Sequence, residues 1–202
     1  MSSNGKRKDP RSDRPFLSDI EELRRRAREH IERGAVTRAY HADVETVRRI
    51  LNEALATELV CVLRYKRHYY MATGIHAQAV AQEFLEHAAE ELAHADLIAQ
   101  RITQLGGAPN MDPQGLMTRS HTEYLEGRTL GDMIREDLIA ERIAVESYVE
   151  VIRYLGDDDP TTRRMLEGIL ANEEEHAEDL RALIQRLGSE VAGEGAEARA
   201  TH

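Results

Sequence analysis

Apolar positions recur along this chain at alternating three- and four-residue steps, the period of an amphipathic helix. Leu51, Leu55, Val62, Tyr65 and Tyr69 form one row, and Phe84, Ala88, Ala95, Ile98, Ile102 and Leu105 a second. Ile134, Leu138, Val145 and Tyr148 form a third, and Met165, Ile169, Leu180, Leu183 and Leu187 a fourth. These rows predict four long helices. Asp43 caps the first, which runs to about Thr73 with Gly74 at its end; the second runs from about Ala77 to Leu105 and is closed by Gly106-Gly107 and Pro109. Thr129, with Asp132 three positions on, opens the third, which ends near Leu155-Gly156. Asp159 and Pro160 supply a cap and a first-turn proline to the fourth, which ends at Leu187-Gly188. A shorter helix precedes them, from a capping box at Ser18-Asp19-Ile20-Glu21 to about Arg33, stopped by Gly34. Its stripe of Ile20, Leu23, Ala27 and Ile31 suits the outside of a bundle or a neighbouring subunit.

Each row carries an acidic residue where a hydrophobe belongs. Glu58 interrupts the first and Glu141 the third; Glu91 and Glu173 interrupt the second and fourth, each followed three positions later by a histidine, His94 or His176. On a helix that spacing sets carboxylate and imidazole on one face, a turn apart, where both can grip the same ion. Burying one unpaired carboxylate costs several kcal/mol. Four of them converging with two histidines therefore call for a compensating cation. The order is also regular: Glu58 precedes Glu91 by 33 positions and Glu141 precedes Glu173 by 32, so the chain reads as two helical hairpins, each giving Glu and then Glu-x-x-His. Six oxygen and nitrogen donors suit two iron or manganese ions better than structural zinc, which takes four ligands, often thiolates. The expected arrangement has Glu91 and Glu173 bridging, Glu58 and His94 completing one ion, and Glu141 and His176 the other.

The span from about residue 44 to 187 resembles the bacterioferritin family of the ferritin-like superfamily. The matching segments are Glu58-Leu59-Val60 with Tyr65, Glu91-Leu92-Ala93-His94-Ala95-Asp96, Asp137-Leu138-Ile139-Ala140-Glu141 and Glu173-Glu174-Glu175-His176. The resemblance implies an all-α, ferritin-like four-helix bundle with a long crossover between its second and third helices. It implies a ferroxidase that oxidises Fe(II) with O2 or H2O2 at two iron ions per subunit and stores the ferric mineral in a homo-oligomeric shell. Three departures qualify it. The position of the family's haem-ligating methionine is Leu92, so haem is not expected. Residues 189–202 cannot supply the family's short apolar fifth helix, which leaves a shell of 12 subunits open beside one of 24. The connection from 108 to 128 is longer than the family's, and the 18–33 helix is extra.

Composition narrows the alternatives. Aromatics make up 4% of the 202 residues, tryptophan is absent and prolines stand only at 10, 15, 109, 113 and 160, all consistent with long helices. No apolar run approaches membrane-spanning length and no secretory signal is visible. Cys61 is the sole cysteine, which rules out an intramolecular disulfide framework and suits a reducing cytoplasm; no C-x-x-C pair exists for a rubredoxin-type iron. The net charge is −10, yet residues 1–38 hold 11 Lys/Arg against 7 Asp/Glu. The chain divides into a disordered basic tail at 1–17, a short helix and linker at 18–42, the bundle at 43–187 and a flexible tail at 188–202. The basic tail raises a second reading, a DNA-protecting protein; a third is a non-storing di-metal peroxidase or catalase, and manganese is open beside iron at the centre. Tyr65, seven positions after Glu58, is a candidate hydrogen-bond partner of a ligand or a radical site. His87 is assigned to a solvated or interface position, with an outer-sphere or entry role as the alternative; Cys61 is read as a small buried hydrophobe. Glu90, Glu174 and Glu175 are assigned to solvated helix faces, and Arg24-Arg25-Arg26 to the surface.

Overall fold

The computed structural model describes residues 19–74 and 77–200, with side chains as far as 187. Six α-helices follow in order: α1 (Ile20–Arg26), α2 (Val44–Met71), α3 (Ala77–Gln104), α4 (Leu116–Arg119), α5 (Leu130–Leu155) and α6 (Pro160–Ala200). Helix α2 packs chiefly on α3 and α5 on α6, so two hairpins associate as a four-helix bundle. Among the described residues there is no strand, and no helix is long and apolar enough to cross a membrane.

The helix ends have local causes. The Asp43 carboxylate accepts from the Thr46 amide at 2.7 Å, and Thr129 and Asp132 complete a reciprocal capping box at the start of α5. Asp159 accepts from the Thr162 amide at 2.9 Å, beside Pro160 in the first turn of α6. Helix α3 closes on Gly106, whose φ of +77° lets the Gly107 amide reach back to the Ile102 carbonyl at 2.9 Å.

Two boundaries differ from the sequence expectation. The N-terminal helix stops at Arg26 rather than Arg33. His30 then takes a left-handed φ of 51° and a 3-10 turn covers Ile31–Arg33. None of the α1 residues is buried, so no packing energy opposes that break. Asp19 alone accepts from the Glu21 and Glu22 amides; Ser18 lies outside the described residues. At the other end α6 continues past Gly188 to Ala200 where a stop and a flexible tail are expected. A helical glycine costs about 1 kcal/mol, and the alanines, glutamates and arginine that follow are good helix formers. The basic 1–17 segment lies outside the described residues.

A layer of charge divides the core in two. On one side lie Val47, Leu51, Leu55, Ile98, Ile102, Tyr148, Leu155, Leu166 and Ile169. On the other are Cys61, Tyr65, Val80, Phe84, Met133, Ile134, Leu180 and Leu183. Along every long helix the acidic residue falls where one apolar cluster gives way to the other. The crossover from α3 to α5, which contains α4, is tied down across this layer: the His121 amide donates to Thr57 Oγ1 at 3.0 Å, and Thr122 is buried 3.8 Å from Cys61 Sγ. Gly127 must be glycine there, because it has a φ of +63° and an added Cβ would sit 2.8 Å from the Met133 amide nitrogen.

Candidate metal centre

Glu58 on α2, Glu91 and His94 on α3, Glu141 on α5 and Glu173 and His176 on α6 all converge in the charged layer, each at most 5% exposed. Their ligand atoms form two overlapping groups, Glu58–Glu91–His94–Glu173 and Glu91–Glu141–Glu173–His176. Glu91 and Glu173 belong to both, one oxygen toward each histidine. His94 Nδ1 lies 3.0 Å from Glu173 Oε1, 3.4 Å from Glu58 Oε2 and 3.7 Å from Glu91 Oε2. His176 Nδ1 lies 3.4 Å from Glu91 Oε1, 3.8 Å from Glu141 Oε2 and 3.9 Å from Glu173 Oε2.

Most of these atoms are without hydrogen bonds. Of the ten buried side-chain nitrogens and oxygens that lack a partner among the described residues, seven are here: Glu58 Oε2, Glu91 Oε1, both Glu173 oxygens, Glu141 Oε2 and the two histidine Nδ1 atoms. Buried polar groups are nearly always satisfied, so such a concentration needs a cause. Four carboxylates and two imidazoles whose ligand atoms fall into two overlapping groups could hold a pair of divalent cations.

Electrostatics carries the same signature. Burial and the neighbouring Glu91 charge push the Glu58 carboxyl well up, and burial with the Glu91, Glu58 and Glu141 charges does the same to Glu173. For Glu91, burial is outweighed by its contacts with Glu58, His176 and His94, which hold it low. For the histidines burial is again outweighed: Glu58 and Glu91 raise His94 to about 10, and Glu141 and Glu91 raise His176 to about 11. The carboxylates around them thus hold both histidines in the protonated form.

A second set of contacts orients this set. Tyr65 Oη donates to Glu141, on the opposite hairpin rather than to Glu58, and Tyr148 Oη donates to Glu58. Tyr148 stands seven positions after Glu141, as Tyr65 does after Glu58. The matching interval was in the sequence, but only the crossing of the helices shows that each tyrosine serves the other hairpin's glutamate. His176 Nε2 donates to Glu90 Oε2 at 2.6 Å, which turns Nδ1 toward the centre. Glu90 is thus exposed, as expected, yet engaged; Glu174 and Glu175 are exposed. His87 is not solvated: it is 3% exposed, its ring stacks on His176 at 4.1 Å between centroids, and its Nδ1 lies 3.2 Å from Tyr65 Oη. Burial and the nearby His176 charge lower its pKa. Cys61 is buried 3.6 Å from an Arg64 nitrogen, and Leu92 faces outward, about half exposed.

These features define a ferritin-like helical bundle with a carboxylate–histidine centre. The ferritin-like domain family matches residues 48–189. Bacterioferritin from Mycobacterium leprae is 31% identical over 149 residues, covering 72% of this chain and 89% of that protein. Among solved structures, the dodecameric thioferritin from Bacteroides fragilis, a bacterioferritin-related protein, superposes with a TM-score of 0.73 at 30% identity, covering 76% of this chain and 92% of that one. Desulfovibrio desulfuricans bacterioferritin, described for its diiron site, shares the fold with a TM-score of 0.65 at 22% identity, covering 72% and 82%. The chain belongs to the ferritin-like family and is related to the bacterioferritins.

Proposed function

We propose that this protein is a ferroxidase that binds two Fe(II) per chain at Glu58, Glu91, His94, Glu141, Glu173 and His176 and retains the ferric product within a homo-oligomeric shell. One observation carries the reading: the seven unpartnered ligand atoms lie in two groups that share Glu91 and Glu173. Glu91 and Glu173 would bridge, Glu58 and His94 would complete one ion, and Glu141 and His176 the other. Two Fe(II) together supply two electrons, enough to reduce O2 to peroxide, or peroxide with two protons to water.

The protein's own part is positional. Four carboxylates, two protonated imidazoles and two metal dications cannot coexist, so loading displaces the protons from both Nδ1 atoms. Glu90 keeps the Nε2 proton of His176 and with it the ring orientation. Tyr65 and Tyr148 each fix the outer glutamate of the opposite hairpin, leaving one oxygen of Glu141 and one of Glu58 free to ligate. The apolar clusters on either side exclude water from the layer and strengthen every interaction in it.

The dodecameric relative and the continuous α6, which adds no separate fifth helix among the described residues, support a shell of 12 subunits. The decisive experiment is anaerobic Fe(II) titration followed by O2 or H2O2, on wild type and Glu91→Ala. Two Fe(II) per chain, rapid oxidation and many irons retained as soluble particles are expected for wild type only. Two bound with none retained beyond them would replace the reading with a non-storing di-metal peroxidase or catalase. Binding no stronger than in the variant would remove the centre.

A further inference from the structure

Next to the six-residue centre, on the solvent side of His176, a smaller cluster has no part in the proposed reaction. Glu83 and His87 stand one turn apart on α3, and Asp179 faces them from α6. His87 Nε2 lies 3.6 Å from Glu83 Oε1 and 4.0 Å from Asp179 Oδ2, beyond hydrogen-bond distance of either. One ligand atom from each of the three residues falls within 4.8 Å of the other two.

The state of the His87 ring follows from its other side. The Tyr65 hydroxyl proton goes to Glu141, so the Tyr65 oxygen can only accept from the His87 Nδ1 that lies 3.2 Å away. In the neutral ring that leaves Nε2 as a bare lone pair, aimed between two carboxylates from a side chain 97% buried by its 3% exposure. Among the described residues three acceptors face one another, and no hydrogen bond reaches Nε2. Burial and the Asp179 charge, followed by Glu86, push the Glu83 carboxyl up; Arg186 pulls it the other way.

We propose that Glu83, His87 and Asp179 form a third divalent-cation site, separate from the six-residue centre, that takes a first-row transition metal ion. One imidazole nitrogen and two carboxylates favour Mn(II), Fe(II), Co(II) or Zn(II) over Mg(II), which prefers an all-oxygen octahedral shell. The site is open on one side, with the side chains of Glu83 and Asp179 31% and 49% exposed, so water completes the coordination. On its inner side the His87 ring stacks on His176, and His87, Glu141 and His176 also bring ligand atoms within 4.8 Å of one another. An ion held by His87 is therefore one imidazole away from the inner pair. The site does not depend on whether the protein stores iron.

The test is anaerobic Co(II) titration of the full chain in excess Mg(II), read by the visible absorption of Co(II) and by metal per chain. Three Co(II) are expected for wild type, two tight and one weaker, and two for Glu83→Gln/Asp179→Asn. The complementary Glu58→Gln/Glu173→Gln variant, which touches neither Tyr65 nor His87, is expected to weaken the tight pair and keep the third ion. Two Co(II) in wild type, or a third ion retained at full affinity in Glu83→Gln/Asp179→Asn, would overturn the proposal. Loss of the tight pair from wild type with the weaker ion present would instead count against the inner centre alone. Should the double variant not fold, Zn(II) in crystals of the wild-type protein decides: an anomalous peak about 2.0–2.1 Å from His87 Nε2 is expected, and none would refute the site.

Discussion

Helix α2 contributes to two buried polar clusters that follow opposite rules. On either side of Tyr65, Arg64 and His68 meet Asp137 of α5 with every group engaged. Arg64 Nε donates to Asp137 Oδ1 at 2.8 Å and another guanidinium nitrogen to the Glu123 carbonyl at 2.8 Å. His68 places Nδ1 2.7 Å from Asp137 Oδ2 and Nε2 3.0 Å from the Glu126 carbonyl. Half the partners belong to the crossover, so this cluster fastens the connection to both hairpins. The Glu58–Glu173 layer is equally buried but has seven unpartnered atoms. A closed cluster has no valence left for a ligand; an open one of the same depth has seven. Burial alone does not distinguish structure from function here, and satisfaction does.

Breaking the closed cluster has the largest effect on stability. Asp137→Ala leaves Arg64 buried without its counter-ion, and removing one partner of a buried pair costs about 3–5 kcal/mol. Urea unfolding of the metal-free protein measures this, while Co(II) bound per folded chain stays at the wild-type value. A loss below about 1 kcal/mol would show that the cluster does not fasten the crossover.

In the open cluster that cost is absent. Glu173→Gln replaces a buried carboxyl that burial and its neighbours already push toward the neutral form with an amide of the same size, so the metal-free protein changes by less than about 1 kcal/mol. What it loses is the response to metal. A ligand at about 100 times its Kd stabilises the native state by about 2.7 kcal/mol, and that increment, read as a shift in the urea midpoint on adding Mn(II) or Fe(II) anaerobically, disappears in the variant. A variant that is destabilised without metal yet still stabilised by it would erase the distinction between the clusters.

Titration separates the two clusters further. His94 and His176, raised to about 10 and about 11, carry protons at pH 7 and surrender them when Nδ1 takes a metal. Loading in weak buffer should release at least two protons per chain, those of the two imidazoles together with any held by the raised Glu58 and Glu173 carboxyls, and affinity should rise with pH across the neutral range. The stability these raised groups give the metal-free protein is complete below the ordinary histidine value of about 6.5 and is lost as pH climbs through about 10 to 11. Release of no protons at pH 7 would mean that the imidazoles are already neutral.

Sequence periodicity disclosed the open cluster because its members interrupt apolar rows. Glu58, Glu91, Glu141 and Glu173 stand where a helix needs a hydrophobe, and a 3.6-residue period projects that fact from one chain. The closed cluster gives no such signal: Arg64 and Asp137 can be read as surface charges until α2, α5 and the crossover are seen to meet. The places of His87 and Glu90 are illegible for the same reason, since a stack on His176 and a 2.6 Å contact with it are made between residues 86 or more positions apart in the chain. The break at His30 and the run of α6 through Gly188, Gly193 and Gly195 turn on steps of about 1 kcal/mol per residue, which local pattern does not resolve.

The tyrosines give the smallest effects and the sharpest use of the pseudo-symmetry. Tyr65 and Tyr148 occupy equivalent positions, each donating to the far hairpin's glutamate, yet only Tyr65 has a histidine against its oxygen. A buried hydrogen bond contributes about 1 kcal/mol, and Phe in either place leaves a glutamate oxygen without its donor. Tyr148→Phe should therefore slow Fe(II) oxidation by about fivefold, the kinetic equivalent of that bond, and leave any third Co(II) untouched. Tyr65→Phe should do the same to oxidation and also weaken the third Co(II), because His87 Nδ1 loses its acceptor and Nε2 its enforced lone pair. Both variants can be titrated beside wild type in one experiment. Equal third-ion affinities in the two would show that His87 is oriented by something other than Tyr65.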